Sequence, residues 1–170
     1  APNLLPGYRS VSVDSDREAI ASVTGGMYPQ RPGKSVRAMT AGDGIKALVV
    51  LADGWNPDAA GITSDGLGNP GFLVVSDVFM SETASRADVV FPAATYAEVT
   101  GTITNLERRV QMLNPGMSLR HEEREGWRTL AGLASVMGGT GFEYGSSHEV
   151  FEEIRKAVPE YVGITHARLE

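Results

Sequence analysis

The sequence predicts an α/β fold: a small parallel sheet layered with helices and followed by helical segments at the carboxyl-terminal end. Three apolar runs carry this reading: Lys46–Gly54 (KALVVLADG), Phe72–Phe79 (FLVVSDVF) and Asp88–Ala94 (DVVFPAA). They are continuous rather than alternating, which suits strands buried on both faces, as in parallel sheets. Helical patterns lie around and between them. Each run leaves through Asp-Gly, Ser-Asp or Pro, so polar loops should gather at the strand ends, where open α/β sheets bind ligands.

Before the first run, Asp14–Gly26 (DSDREAIASVTGG) offers an Asp cap and a Gly-Gly stop, a helix signature. Lys34–Gly44 (KSVRAMTAGDG) is a second helical pattern feeding the first strand. Between the second and third runs, Ser81 can cap a short helix in Met80–Ala87 with Glu82 in its first turn. That connection is short for a crossover, so the helix spans only about two turns. Further on, Trp127, Leu130, Leu133, Ala134 and Met137 recur at helical spacing and stop at Gly138-Gly139. They predict an apolar stripe, with Trp127 buried where the carboxyl-terminal helices dock on the sheet. The last helix begins at a Ser146 or Ser147 cap and ends before Pro159. Together these make a Rossmann-like three-layer domain, with Lys46–Ala52, Phe72–Asp77 and Asp88–Phe91 as parallel neighbours. We read 1–170 as a single domain, with 1–119 its α/β sheet layer and 120–170 its helical segment.

Composition excludes several functions. The 170 residues suit one domain, able to bury roughly 70 % of its unfolded surface. Fifteen basic and 21 acidic residues give a net charge of −6. The densest cluster, Arg120–Arg128 (RHEEREGWR), alternates in sign and reads as a solvated helix start, so the footprint of a nucleic-acid binder is missing. No cysteine occurs, which removes disulfides, thiolate metal sites and iron–sulfur ligation from these residues. His121, His148 and His166 lack ligand-like spacing, so no metal site is expected. No apolar run reaches membrane-spanning length and no direct membrane insertion is expected. With no nucleophile–base pair at suggestive spacing, no catalytic residue is assigned. The opening APNLLPGYRSV, rich in Pro, Gly and Asn, reads as a cut through a longer polypeptide.

One stretch carries a resemblance. Phe72–Gln111 (FLVVSDVFMSETASRADVVFPAATYAEVTGTITNLERRVQ) resembles the signature of the molybdopterin oxidoreductase superfamily. The opening PNLLPGYRSV and the closing EVFEEIRKAVPEYVGITHARLE resemble the segments that flank it in that superfamily, so the likeness covers nearly the whole chain. Two branches fit best: the peripheral-arm subunit of NADH-quinone oxidoreductase (respiratory complex I) that carries this domain, and the catalytic subunit of formate dehydrogenase. The likeness is to the third, Rossmann-like domain, and leaves out iron–sulfur segments upstream and a β-barrel downstream.

In catalytic relatives that domain grips one guanosine of a molybdopterin guanine dinucleotide. Carried across, the resemblance places cofactor contacts at Asp77, Ser81, Thr83 and Asp88, and at Gly54 and Asn56 in the first strand's exit. That exit departs from the family pattern: ADGWNP has an extra residue, and Trp55 stands where the nucleotide would approach backbone. Each residue also has a structural reading. Asp77 and Ser81 are what a helix start wants, Asp88 could pair with Arg86, and Glu98 and Asn105 could tie their loop by side-chain to backbone bonds.

Two functions follow. In the first the chain is a non-catalytic scaffold in the peripheral arm of complex I, part of electron transfer from NADH to quinone, its pterin lost. In the second it is the molybdopterin guanine dinucleotide-binding domain of a formate dehydrogenase-type molybdenum or tungsten oxidoreductase. The altered ADGWNP turn favours the first. Either way no cofactor is expected in these residues alone. The dinucleotide and the iron–sulfur clusters would belong to a longer parent chain. The expected partners are other domains of that chain and other subunits of a redox complex, in the cytoplasm or on the cytoplasmic face of a membrane.

Overall fold

A computed structural model describes residues 4–40, 44–52 and 70–169. In chain order the elements are β1 (Leu4–Leu5), β2 (Arg9–Ser10), α1 (Asp14–Thr24), α2 (Val36–Thr40), β3 (Leu48–Leu51), β4 (Leu73–Asp77) and α3 (Glu82–Ser85). Then come β5 (Val89–Pro92), β6 (Gly101–Thr104), β7 (Val110–Leu113), α4 (Gly126–Val136), α5 (Ser147–Ala157) and α6 (His166–Leu169). They divide into two compact units.

One unit, Lys34–Val99 with Asn114–Glu143, holds the sheet. Its strands run parallel in the order β3-β4-β5, with Val50 opposite Val75 and Val75 opposite Val90. The three apolar runs are thus the parallel neighbours their composition predicts, and the fold is α/β. Central β4 is buried at all of its positions except half-buried Val74, and Val50, Leu73, Val75 and Ala84 form the core. Burial on both faces does not extend to β3, where Val49 and Leu51 are 46 % and 45 % exposed. The reason is position: among the described residues β3 is an edge strand.

Helix α4 corrects a second expectation. It begins only at Gly126, because Arg124 is drawn into a parallel bridge with Ala93 beyond the end of β5. The stripe that begins at Trp127 is not a core stripe. Trp127 is half-buried with the Arg128 guanidinium 4.3 Å above its ring, Leu130 is 44 % exposed and Met137 78 %. The residue that α4 buries is Thr129. Helical spacing shows that one face is apolar; what covers that face is a separate matter.

The other unit draws on the chain up to Gly33, on Thr100–Leu113 and on the chain from Tyr144. Helix α1 packs on α5, and Ile20, Ala157 and Val158 form a second core with Leu5, Val23, Tyr28 and Tyr161. Helix α1 stops as predicted, on Gly25 in the left-handed region (φ 67°) with its N–H on Ala21 C=O. Its start differs: Val13 is the cap residue without a side-chain bond, and Asp16 instead accepts from Ser10 N–H at 2.8 Å. Ser146, not Ser147, caps α5. The antiparallel hairpin β6–β7 was not foreseen, because Gly101–Thr104 is too polar to read as a strand.

The two cores give contrasting expectations. Ile20 is fully buried, so Ile20→Ala should cost about 2–5 kcal/mol. Met137→Ala should stay within about 0.5 kcal/mol, as at exposed positions generally. Urea unfolding of the two variants checks this; a comparable loss for Met137→Ala would show its face to be covered.

Candidate functional site

Parallel strands deliver their carboxyl ends, and the loops that follow, to one edge of the sheet. At that edge β4 ends on Asp77, 5 % exposed, opposite Pro92 of β5. Its carboxylate turns back on the loop it begins. Oδ1 accepts from Val78 N–H at 2.7 Å and from Phe79 N–H at 3.4 Å, and Oδ2 accepts from the Ser81 hydroxyl at 2.8 Å. Ser81 Oγ in turn accepts from Ala84 N–H at 3.2 Å, capping α3. Thr83 follows inside that helix, fully buried. Asp77, Ser81 and Thr83 therefore belong to one short strand–loop–helix joint. The caps read from sequence are present as bonds, and Ser81 keeps acceptor capacity.

Asp88 does not join them. Its carboxylate accepts from Leu73 N–H at 2.7 Å, and its own N–H donates to Leu73 C=O at 2.9 Å. It therefore sits beside the start of β4. Four residues of strand, about 13 Å, separate that edge from Asp77. The position explains its residue type: an aspartate there satisfies the first amide of the central strand. The other two candidates, Gly54 and Asn56, lie outside the described residues with Trp55.

Beyond β5 the carboxyl edge is extended by two features, one of which sequence missed. Arg124 N–H donates to Pro92 C=O at 3.1 Å and Ala94 N–H to Arg124 C=O at 2.9 Å, which sets an exposed arginine at this edge. Its signal was hidden in a charge-alternating run. The turn Thr95–Glu98 is closed by Glu98, whose Oε2 accepts from Thr95 N–H and from its hydroxyl, both at 2.9 Å. Those two bonds, backbone first, hold the Glu98 carboxyl below the usual carboxylate range; burial opposes them, and Glu123 and Arg120 reinforce them. Around these polar groups, Phe79, Met80 and Tyr96 are 72 %, 72 % and 81 % exposed. The edge can thus offer flat apolar surface, hydroxyl and backbone acceptors, and a guanidinium.

In the other unit, Asn105 organises the hairpin turn. Its Oδ1 accepts from Glu107 N–H and Arg109 N–H, both at 2.9 Å, while Arg108 takes a φ of 62°. The turn borders a concavity of about 710 Å³ that Tyr8, Arg108, Glu160 and Tyr161 also line. The loop-tying bonds expected of Glu98 and Asn105 are both present.

Residues 18–136 match the family described as molybdopterin oxidoreductase. The chain belongs to that family. Among its relatives are the alpha subunit of F420-dependent formate dehydrogenase 1 of Methanococcus maripaludis and its counterpart in Methanocaldococcus jannaschii. Both are 36 % identical over 99 % of this chain, which covers 25 % and 26 % of their lengths. The assimilatory nitrate reductase catalytic subunit of Bacillus subtilis is 36 % identical over 97 % of the chain and 25 % of its own length. The chain thus spans about a quarter of the curated relatives it matches. These relatives favour the formate dehydrogenase branch over the complex I branch, to which none of the three belongs. No helix among the described residues is long and apolar enough to cross a membrane.

The Glu98 lock sets a pH dependence. The folded carboxyl lies below the ordinary 4.5, so the folded state holds fewer protons than the unfolded chain in this range. Its contribution is present above the unfolded value and lost as pH falls through the folded one. Glu98→Gln should be less stable than the wild type at pH 5.5, with the difference narrowing by pH 3. Urea unfolding at both pH values measures it, and a constant difference would remove Glu98 from the turn's support.

Proposed function

We propose that this chain is the nucleotide-gripping domain of a formate dehydrogenase-type molybdenum or tungsten oxidoreductase, and that the guanosine of a molybdopterin guanine dinucleotide lies on the carboxyl edge of its sheet. The observation that carries the reading is the Asp77–Ser81 joint at the end of the central strand, where open α/β sheets receive nucleotides. Membership of the molybdopterin oxidoreductase family supports a pterin cofactor as the source of that nucleotide.

The residues fit the group in a particular way. Asp77 is nearly enclosed and already accepts three hydrogen bonds, so it acts on a ligand through the loop it shapes. Contact falls to the parts that remain accessible: Ser81 Oγ for a polar edge, Phe79 and Tyr96 for the flat face of the base, and Arg124 for a phosphate. Thr83 supports α3 from within. Asp88, at the opposite edge, holds the sheet rather than the nucleotide. When bound, the metal and its pterins supply the redox chemistry; these residues bind and orient. Catalysis, the substrate, the iron–sulfur clusters and the partner subunits belong on this reading to a parent chain about four times as long.

Most of the cofactor's enclosure would come from that parent. GMP alone should therefore bind the 170-residue chain no more tightly than about millimolar, near −4 kcal/mol. Amide shifts on titration should centre on Val78–Ser81 and Tyr96, with AMP weaker. Shifts scattered over α1 and α5, or equal response to both nucleotides, would discard the site.

A further inference from the structure

Two histidines 18 residues apart in sequence meet nitrogen to nitrogen. His148 stands in the first turn of α5 and His166 opens α6. Their Nδ1 atoms are 2.6 Å apart, with ring centroids at 4.2 Å and planes at 62°. At that separation one nitrogen carries a proton and the other accepts it, since two bare lone pairs or two N–H groups would repel. His166 is 7 % exposed and packs edge-on against buried Phe151, with ring centroids at 5.4 Å. His148 is exposed. One imidazole is thus fixed in the packing while the other is free to turn away.

We propose that His148 and His166 form a proton-sharing clasp that fastens the carboxyl-terminal segment, Pro159–Leu169, to α5 at neutral pH and releases it on acidification. With no added proton, one tautomer donates to the other. With one added, the bond is charge-assisted and holds. A second proton sets two N–H groups and two positive charges face to face, and the contact opens. His148 then turns into solvent. The contact is present at high pH and lost as pH falls through the range in which imidazoles titrate.

Charged groups stand around the pair among the described residues. Strands β6 and β7, packed on α5 and α6, bring no titratable side chain. On α5, Glu152 lies one turn beyond His148; its bond to Arg155 holds its carboxyl below the usual range against the opposing effect of burial, and the charges of Arg155, His148 and Lys156 add to that. Glu149 accepts from Gly145 N–H. On α6, Arg168 donates to Gly163 C=O at 2.6 Å. The turn Pro159–Tyr161 contributes Glu160 and Tyr161, and Tyr161 packs against Phe151 with centroids 6.1 Å apart. On α1, which packs on α5, Asp16 is bonded to Ser10, and Arg17 to Asp14 and Val11.

Amide hydrogen exchange of residues 159–169 in the 170-residue chain, with EDTA present and α1 as internal reference, tests the clasp. After correction for intrinsic rates, protection should fall at least tenfold between pH 7.5 and pH 5. His148→Asn and His166→Asn replace a titrating ring by an amide that can still donate or accept, and should change less than threefold over the same range. The proposal is overturned if the wild type shows no such fall, or if both variants fall as the wild type does. Stoichiometric zinc binding at pH 7.5 that disappears in His148→Asn would also overturn it, because a cation rather than a proton would then join the rings.

Discussion

A carboxylate at the end of a buried strand must find partners, and the way Asp77 does so shapes the whole carboxyl edge. Leaving Asp77 unsatisfied at 5 % exposure would cost several kcal/mol. Its two oxygens instead gather the next two backbone amides and the Ser81 hydroxyl. That bends the chain tightly at Val78–Met80 and starts α3 at once, which is how so short a connection carries the chain from β4 back to β5. The same bend leaves Phe79 and Met80 turned out to solvent. A structural requirement of the strand end therefore produces the exposed surface on which the proposed nucleotide site rests.

At the other end of β4 a second aspartate does the matching work. Asp88 bonds the first amide of the strand, so an aspartate works at each end of the central strand, Asp88 from outside it at the start and its own Asp77 at the exit. The two residues are indistinguishable by type and lie eleven positions apart in one motif. One shapes the proposed site and the other only frames the sheet that bears it. Family likeness carries residue types, not the edge of the sheet on which each falls.

The sheet was legible in sequence because unbroken Val/Leu runs need burial and because Asp, Ser and Gly announce helix ends. The parallel neighbours, the Ser81 cap and the Gly25 stop all came from such local signals. What sequence could not reach depended on contacts distant along the chain. The pairing of Arg124 with the extension of β5 lies inside a run that otherwise reads as solvated charge. The exposure of Leu130 and Met137 contradicts an apolar spacing that is real, since spacing does not record what covers a face. The histidine pair spans 18 residues and matches no ligand motif. The balance between the two functional branches also came out differently: the altered ADGWNP turn pointed to a scaffold, while the relatives are formate dehydrogenase alpha subunits and a nitrate reductase.

Asp77 and Ser81 are joined by a hydrogen bond and act as one unit rather than as two independent caps. A double-mutant cycle in urea at pH 7, with Asp77→Ala, Ser81→Ala and the pair, measures this directly. A hydrogen-bonded unit predicts a coupling between about 0.5 and 3 kcal/mol, with the double variant losing less than the sum of the single ones. Additivity within about 0.3 kcal/mol would contradict it, and with it the view that the end of β4 shapes the edge proposed to hold a nucleotide.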